Sequence, residues 1–447
     1  MLPDPGRKLR ALWLTGATVL SLVCYYQLIF QTGRENFPAI LFYYAVLSLI
    51  YLLIMKVVDH STLKWAIVAA LLVRICLLPA IPELSDDFYR FIWDGRLLTQ
   101  GLSPYAELPS RLMQDAGFNQ VPINQQLYQG MNSPDYFTVY PPLAQWIFFL
   151  AAWCFPDNLQ GNLILIRSII ILFETGSFIL GLRILKNYGI SSNRILIYAW
   201  NPLVIVELTG NLHFEAVMIF FVMLAIYLLQ IKRWKWSAIT MSSAVAAKLI
   251  PLIFLPLLMH RLEWKKVISY WTICGLVVAG FFCTIWSAAL WEGISSGLSL
   301  YFQKFEFNAS IYYLVREIGY AFRGYNIIQA AGPLLALSTT ILILLFSWSY
   351  NKKLAWPEAM IWALAIYLVL ATTVHPWYIT TLVPLAMFTN YRFPIAWSIL
   401  VILSYSGYSE TGFHENMLLV TAEYLFLAVV MFWDLRNKKV ISQSYAK

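Results

Sequence analysis

The sequence SDDFYRFIWDGR at residues 85–96 places three carboxylates and two arginines within twelve positions, directly after an apolar run. Pro82 ends that run, and Ser85 or Asp86 can cap the N-terminus of a following helix. Residues spaced by three, four and seven positions would share one face of this helix. That face would consist of Asp87, Arg90, Phe91 and Asp94. Such a helix either lies on lipid headgroups as an amphipathic segment or forms part of a site.

The composition of the whole chain indicates a membrane protein. Hydrophobic residues make up 60% and charged residues 12% of the 447 residues, and apolar runs of about 20 residues recur along the chain. No small-residue cleavage site follows the first run, so we expect an uncleaved anchor. The five cysteines lack metal-ligand spacing and predict no disulfide framework. Basic residues in short loops account for the net charge of +8, which indicates membrane orientation rather than nucleic-acid binding.

We expect a single all-α membrane domain over residues 1–447, with about 13 transmembrane or hairpin segments. Basic residues in the short loops predict that both termini are cytoplasmic. These residues include Lys352, Lys353, Lys438 and Lys439. Two long loops would then lie outside, at residues 81–142 and 288–328. The first is rich in Pro, Asn, Gln and Tyr and is the expected catalytic loop.

Residues 195–260 form the region of hairpins and broken helices in this prediction. The apolar stretches 195–231 and 237–260 both begin and end at basic loops, so each must turn back. The first is expected to turn at residues 207–215. The second is too short for two spans, so two half-helices would meet near residues 248–251, where Pro251 follows Lys248. Broken helices are tolerated where protein covers them or where they line a cavity.

Ionisable residues within apolar segments are energetically expensive and are therefore candidates for function. His213 and Glu215 lie at the expected outward turn, where they either face the same cavity as the carboxylates of residues 86–94 or pair with each other or with loop amides. Lys248 either forms a structural ion pair with Glu207 or Glu215, or provides a fixed cation near a lipid-borne phosphate. A broken helix beside it would add free backbone donors for such an anion.

An outer helix junction carries the sequence HPWY at residues 375–378. Trp377 and Tyr378 are typical interface anchors, whereas His375 could donate a hydrogen bond to a phosphate or hydroxyl. Arg167 and Glu174 lie seven positions apart on one face of a predicted helix, and we interpret them as structural.

Several familiar sites are absent from the sequence. It contains no Gly-rich phosphate loop, no Cys/His zinc pattern and no Gly-x-Ser-x-Gly elbow. We therefore expect no nucleotide cofactor and no nucleic-acid partner. An activated substrate would reach this protein through the membrane, as a lipid.

Residues 86–96, followed by GLSPY at 101–105, resemble the first outer loop of bacterial GT-C glycosyltransferases. These polytopic enzymes use polyprenyl-phosphate sugars, and many are mannosyltransferases. Further motifs follow in the family's order and extend the resemblance over residues 80–390. They are Tyr140-Pro141-Pro142, Asn201-Pro202, GNLHFE at 210–215, KLIP at 248–251 and HPWY at 375–378. Many relatives have Asp where this chain has Glu215. The first two spans are extra to the minimal core of these enzymes.

The resemblance implies inverting transfer of a sugar from polyprenyl phosphate at the outer face, with a carboxylate of the first outer loop as general base. We expect Asp87 to be that base, with Asp86 as the alternative, because a base must reach the acceptor hydroxyl. The departing phosphate needs cations, for which the candidates are Arg90, Arg96, Lys248 and His375. Asp94 would hold Arg90 or an acceptor hydroxyl. The other expected substrate-binding residues are Tyr140, His213, Glu215, Trp377 and Tyr378.

These observations predict a glycosyltransferase of the bacterial inner membrane, surrounded by membrane lipids, that moves a sugar, most simply mannose, from a polyprenyl-phosphate donor. A lipid, glycan, protein or carotenoid hydroxyl could be the acceptor. Some GT-C enzymes use a divalent cation at the acidic motif, but adjacent aspartates often point apart, so no metal ligands are assigned.

Three other functions are alternatives to glycosyl transfer. A transporter or flippase of lipid-linked sugars would use the same broken helices, but it predicts inverted repeats that the sequence does not show. A glycan polymerase or ligase would use a pyrophosphate-linked oligosaccharide as donor. A non-catalytic scaffold would not explain charged residues within the spans.

Overall fold

The computed structural model describes residues 5–350 and 355–437. Among these residues, secondary structure is helical except for one two-stranded hairpin and an isolated β-bridge between Phe307 and Thr373. Six helices are long and apolar enough to cross a membrane, or seven if one bent pair counts as a span. The prediction of an all-α, polytopic membrane protein is therefore confirmed. Four of the basic residues used to orient the chain lie outside the described residues, namely Lys352, Lys353, Lys438 and Lys439.

The N-terminal part of the chain contains three helices, then the long loop of residues 81–142, then two more helices. The first three are α1 (Pro5–Phe30), α2 (Phe37–Val57) and α3 (Leu63–Cys76). The long loop contains α4 (Asp87–Thr99), α5 (Pro109–Leu112), α6 (Ala116–Asn119) and α7 (Pro122–Gly130). The next two are α8 (Pro142–Cys154), which is too short to span as predicted, and α9 (Leu159–Asn187).

The region of broken helices follows α9. It contains a 3-10 helix (Ser192–Ile195), α10 (Leu196–Ala199), α11 (Pro202–Val204), a π-helix (Ile205–Gly210), α12 (Glu215–Gln230), α13 (Trp234–Ala247) and two further 3-10 helices (Ile250–Phe254 and Pro256–His260).

The C-terminal part begins with four helices and ends with short helices, the hairpin and a final long helix. The first four are α14 (Trp264–Cys283), α15 (Leu290–Gln303), α16 (Ile311–Arg323) and α17 (Ile328–Ser349). They are followed by α18 (Trp356–Leu370), α19 (Pro376–Ile379), α20 (Leu382–Ala386), α21 (Phe393–Leu400), a 3-10 helix (Val401–Gly407), β1 (Tyr408–Ser409), β2 (Gly412–Phe413) and α22 (Met417–Arg436).

The helix that begins at Asp87 is a buried element of the fold rather than a helix on lipid headgroups. Phe91 stacks on Phe148 of α8, with ring centroids 4.7 Å apart. Asp94 is fully buried and Arg90 is almost fully buried. An amphipathic helix on a membrane surface would leave its charged face in water, so the packing against α8 makes α4 part of the protein interior.

The predicted turn within residues 207–215 is present. The chain bends by 116° between the helical segment Pro202–Gly210 and α12, and Leu212 in the break has a φ of 64°. The buried Arg167 guanidinium donates to the carbonyl oxygens of Thr209 (2.8 Å) and Gly210 (3.1 Å). These carbonyls lack helical partners at the break, so Arg167 has the structural role that the sequence predicted.

The second predicted break also lies where expected, but its second half differs from the prediction. Helix α13 ends at Ala247, and Lys248 has an extended backbone. The chain continues as 3-10 helices rather than as an α-helical half. Pro251 and Pro256 explain this difference, because proline has no N–H to donate within an α-helix.

Candidate active site

Asp87 is the first residue of α4 and lies where two cavities meet. The Tyr140 hydroxyl donates a hydrogen bond to Asp87 Oδ2 at 3.2 Å. Burial raises the pKa of Asp87, while Lys248 and the hydrogen bond from Tyr140 act in the opposite direction. A carboxylate with a raised pKa is better matched to general-base catalysis than an exposed aspartate.

Asp86 has a different environment, although it is adjacent in sequence. Its carboxylate forms a salt bridge with Arg34, which lies in the loop between α1 and α2. The Arg34 guanidinium also lies 5.2 Å from the centre of the Tyr408 ring. The salt bridge engages the Asp86 carboxylate with Arg34, whereas Asp87 has no such cationic partner in direct contact within the described part of the chain.

Arg90 and Asp94 form a buried pair that holds the segment around Tyr136 on α4. Arg90 Nε donates to Asp94 Oδ1 at 2.7 Å, and Arg90 Nη1 donates to the Tyr136 carbonyl at 2.8 Å. Asp94 also accepts hydrogen bonds from Gln145 and Thr138. Asp94 was expected to hold either Arg90 or an acceptor hydroxyl. The structure shows the contact with Arg90.

Arg96 does not lie with the other candidate residues. It donates to Asn124 Oδ1 at 3.0 Å and contacts Asp157 at 3.3 Å, and it lines neither of the two cavities at Asp87. Of the four candidate cations, Arg96 is therefore the one that lies outside the site.

Lys248 and Glu215 come together across the two breaks. Lys248 Nζ lies 2.8 Å from Glu215 Oε1 and 5.7 Å from the centre of the Tyr378 ring. This contact is the ion pair that was one of the two alternatives for Lys248 in the sequence analysis. Lys248 also lines a cavity together with Asp87. The ion pair can therefore hold the ammonium in place beside the site.

Two histidines enclose the Trp377 ring. The ring centroid of His213 lies 3.8 Å from that of Trp377, and the centroid of His375 lies 4.2 Å from it. His213 faces Glu207 at 3.4 Å rather than Glu215. Burial and the nearby Lys248 lower the pKa of His375 to about 3, which favours the uncharged form of the imidazole over the cationic one.

An apolar cavity of about 550 Å³ extends from Asp87 between the second break and α17. Its walls are mainly aliphatic and include Leu252, Ile253, Ala336 and Ile343. Lys248 and Tyr378 lie with Asp87 among its polar lining groups. Its chemistry suits a hydrocarbon chain that ends in a charged group.

A second cavity, of about 430 Å³, begins at the same aspartate and is lined by aromatic and charged side chains. We call it the aromatic cavity. Its rings include Tyr136, Phe305, Phe307, Trp377, Tyr405, Tyr408 and Phe413, and its charged residues include Arg34, Asp86, Arg90 and Glu306. The two cavities share Asp87, Val139, Tyr140, Thr373 and Trp377.

Several lining residues were not identified from the sequence. Arg34 lies in a short loop between two spans that had been assigned no chemistry. Tyr405, Tyr408 and Phe413 lie near the hairpin, beyond the recognised motifs. No spacing in the chain links these residues to Asp87, so only the folded arrangement reveals them.

The acidic motif does not by itself form a metal centre. Among the described residues, no three His, Cys, Asp or Glu side chains lie together in a group that could hold a metal ion. Asp86 is bound to Arg34 and Asp87 to Tyr140, so the two adjacent carboxylates have different partners.

Comparison with known proteins identifies the family. The model of a family described as "Alpha-(1->6)-mannopyranosyltransferase, N-terminal domain" matches residues 12–262, more than half of the chain. The chain belongs to this family. A curated relative, alpha-(1->6)-mannopyranosyltransferase A of Corynebacterium glutamicum, is 26% identical over 398 residues, which cover 80% of this chain and 77% of the relative.

This result confirms the resemblance to membrane mannosyltransferases. The match begins within α1, so it includes the first two spans. These spans, which were interpreted as additions to the GT-C core, belong to the N-terminal domain of the mannopyranosyltransferase family. Arg34 lies between these spans and reaches the aromatic cavity. The N-terminal spans therefore contribute to the site.

Proposed function

We propose that this protein transfers mannose from a polyprenyl-phosphate donor to an acceptor hydroxyl, with inversion at the anomeric carbon and with Asp87 as general base. The observation that carries the proposal is that the apolar and aromatic cavities meet at Asp87. A lipid-linked donor and a polar acceptor need separate entries to one reacting centre. By analogy with the name of the relative, the linkage formed is α-(1→6).

In this proposal the polyprenyl chain occupies the apolar cavity, and the donor phosphate lies near Lys248. Negative charge develops on that phosphate as its bond to the sugar breaks. A cation held nearby stabilises this charge without donating a proton. The ion pair with Glu215 keeps Lys248 in place, and the ammonium retains further hydrogen-bond donors for the phosphate.

The acceptor occupies the aromatic cavity and presents a hydroxyl to Asp87. The carboxylate removes the hydroxyl proton as the oxygen attacks the anomeric carbon from the face opposite the phosphate. Arg34 holds Asp86, which leaves Asp87 for this role. Aromatic rings offer apolar faces to sugar C–H groups, while the polar side chains of the cavity can bind hydroxyls. These features favour a glycan or glycolipid acceptor at a site that we place on the periplasmic side of the bacterial inner membrane.

The proposal is tested with purified protein in nanodiscs, supplied with radiolabelled polyprenyl-phosphate mannose and a membrane extract as acceptor pool. We expect label in a new product and release of polyprenyl phosphate. Asp87→Asn should reduce transfer by about 10²–10⁴-fold, the usual contribution of a general base. The matched variant Asp86→Asn should reduce it much less.

Two outcomes would contradict the proposal at different points. Wild-type transfer by a folded Asp87→Asn variant would exclude Asp87 as the base. Absence of polyprenyl phosphate release with mannose, glucose and arabinose donors would exclude this donor class and would favour a transporter of lipid-linked sugars.

A further inference from the structure

A basic groove lies between α3 and α9, at the end of the molecule that carries the short basic loops. The groove is broad and open, with a volume of about 900 Å³. Its polar lining contains positively charged and neutral groups, and none of its lining residues is acidic. The basic members are His60, Lys64, Arg183 and Lys186.

The positive charge of the groove is not neutralised by nearby carboxylates. Within residues 5–350 and 355–437, neither Lys64 nor Lys186 forms a salt bridge, and the Arg183 guanidinium contacts the uncharged Tyr227 ring, at 5.9 Å, but no carboxylate. Asp59, the acid next to His60, is already paired with Arg10 at 3.0 Å. The three permanent cations are therefore available to an anion.

The walls of the groove are apolar and continue along the membrane-facing sides of the two helices. The walls include Ile67, Val68, Leu182 and Ile190. Farther from the charged end, α3 and α9 expose large aliphatic side chains, among them Leu72, Ile75, Leu172 and Ile179. A charged end joined to an exposed apolar stripe matches the shape and polarity of a phospholipid.

We propose that this basic groove binds an anionic phospholipid, with its phosphate at Lys64, Arg183 and Lys186 and its acyl chains along the apolar stripe. Basic pockets between helix ends are recognised headgroup sites for anionic lipids. Basic residues at helix ends also orient membrane proteins without binding a particular lipid. The concave groove without acidic lining residues distinguishes this cluster from the basic turn between α12 and α13.

Native mass spectrometry of the delipidated protein in detergent tests the proposal. The protein is titrated with phosphatidylglycerol, cardiolipin or phosphatidylcholine of matched chains. We expect the two anionic lipids to be retained and phosphatidylcholine to be retained much less. The triple variant Lys64→Gln/Arg183→Gln/Lys186→Gln should bind the anionic lipids at least about tenfold more weakly.

The control is the triple variant Lys232→Gln/Arg233→Gln/Lys235→Gln, which removes the same charge from the basic turn between α12 and α13. It should retain wild-type lipid binding. Equal losses in both triple variants, or no loss in the groove variant, would overturn the proposal in favour of non-specific attraction. If the groove variant fails to fold, Lys64→Gln alone provides the comparison, because Lys64 is exposed and its single removal should still weaken retention.

Discussion

At Asp87, burial and hydrogen bonding have opposite effects on the affinity of one carboxylate for its proton. Burial raises the pKa because the charged form loses contact with water, whereas the Tyr140 hydroxyl and Lys248 stabilise that charged form. The adjacent Asp86 is held by Arg34. Two neighbouring aspartates therefore acquire different chemical properties from the groups that the fold places around them.

The pH dependence of transfer should report this balance. A general base acts when it is deprotonated, so kcat/KM should fall as the pH drops through the raised pKa of Asp87. Tyr140→Phe removes a hydrogen bond to the charged form, so the pKa should rise further. The acid limb of the profile should then move to higher pH by about 0.5–1 unit.

Steady-state kinetics across a pH series measure this shift. Tyr136→Phe is the matched control, because it removes a hydroxyl from the same cavity without removing the hydrogen bond from Tyr140 to Asp87. An acid limb that stays in place, or moves to lower pH, in Tyr140→Phe would contradict the assignment of that limb to Asp87.

At the scale of elements, the close packing of α4 against α8 positions the acidic motif. Gly95 makes this approach possible, because a Cβ at this position would lie far inside van der Waals contact of the Phe148 carbonyl oxygen. The added Cβ would be fixed to the backbone of α4, and the Phe148 oxygen belongs to the backbone of α8, so neither group can move aside easily. The same packing brings Phe91 onto Phe148 and holds Asp87 at the junction of the cavities.

Gly95→Ala should therefore destabilise the protein by about 1–3 kcal/mol, as expected for overpacking at a tight contact. The melting temperature in detergent should fall, and transfer activity should fall with it as α4 moves away from α8. Gly275→Ala on α14 is the control, since a Cβ there meets nothing within 4 Å. Equal melting temperatures for the two variants would show that the α4–α8 contact is more adaptable than its geometry indicates.

At the scale of the whole molecule, the site is assembled from segments that are distant in sequence. The family match ends at residue 262. His375 and Trp377 come from beyond that point, as do the rings near the β-hairpin. Helix α17 forms the wall of the apolar cavity that faces the break at Lys248. The N-terminal domain of the family therefore contributes Asp87 and Lys248, and the C-terminal part closes both cavities around them.

The apolar cavity provides a test of how the two parts bind a lipid. Ala336→Trp on α17 would fill the cavity, and we expect the KM for a long-chain polyprenyl donor to rise at least about tenfold through lost binding. A donor with a chain too short to reach Ala336 should be affected much less. Kinetics with both donors measure the difference.

Leu337→Trp is the matched control for this substitution. Leu337 is 56% exposed and does not line the cavity, so this variant should resemble the wild type with both donors. If the two tryptophan variants behave alike, the chain of the donor lies elsewhere.

Sequence alone determined the class of the protein and the positions of its breaks. The apolar runs predicted an all-α membrane protein because a hydrocarbon environment accepts helices of this length and composition. Basic loops at both ends of 195–231 and 237–260 required the chain to turn back, and both breaks lie within the predicted ranges. These signals are local, so each can be recognised from a short segment of chain.

Only the tertiary structure decided which charged groups are already engaged and which line the cavities. The sequence allowed Arg90 to pair with Asp94, four positions later on the same helix, but nothing in it showed that Asn124 holds Arg96. Arg34, Tyr408 and Phe413 carried no recognisable signal, because their roles depend on contacts between distant segments. When the partners of a charge come from distant segments, their contact depends on distances across the fold, and no spacing along the chain encodes those distances.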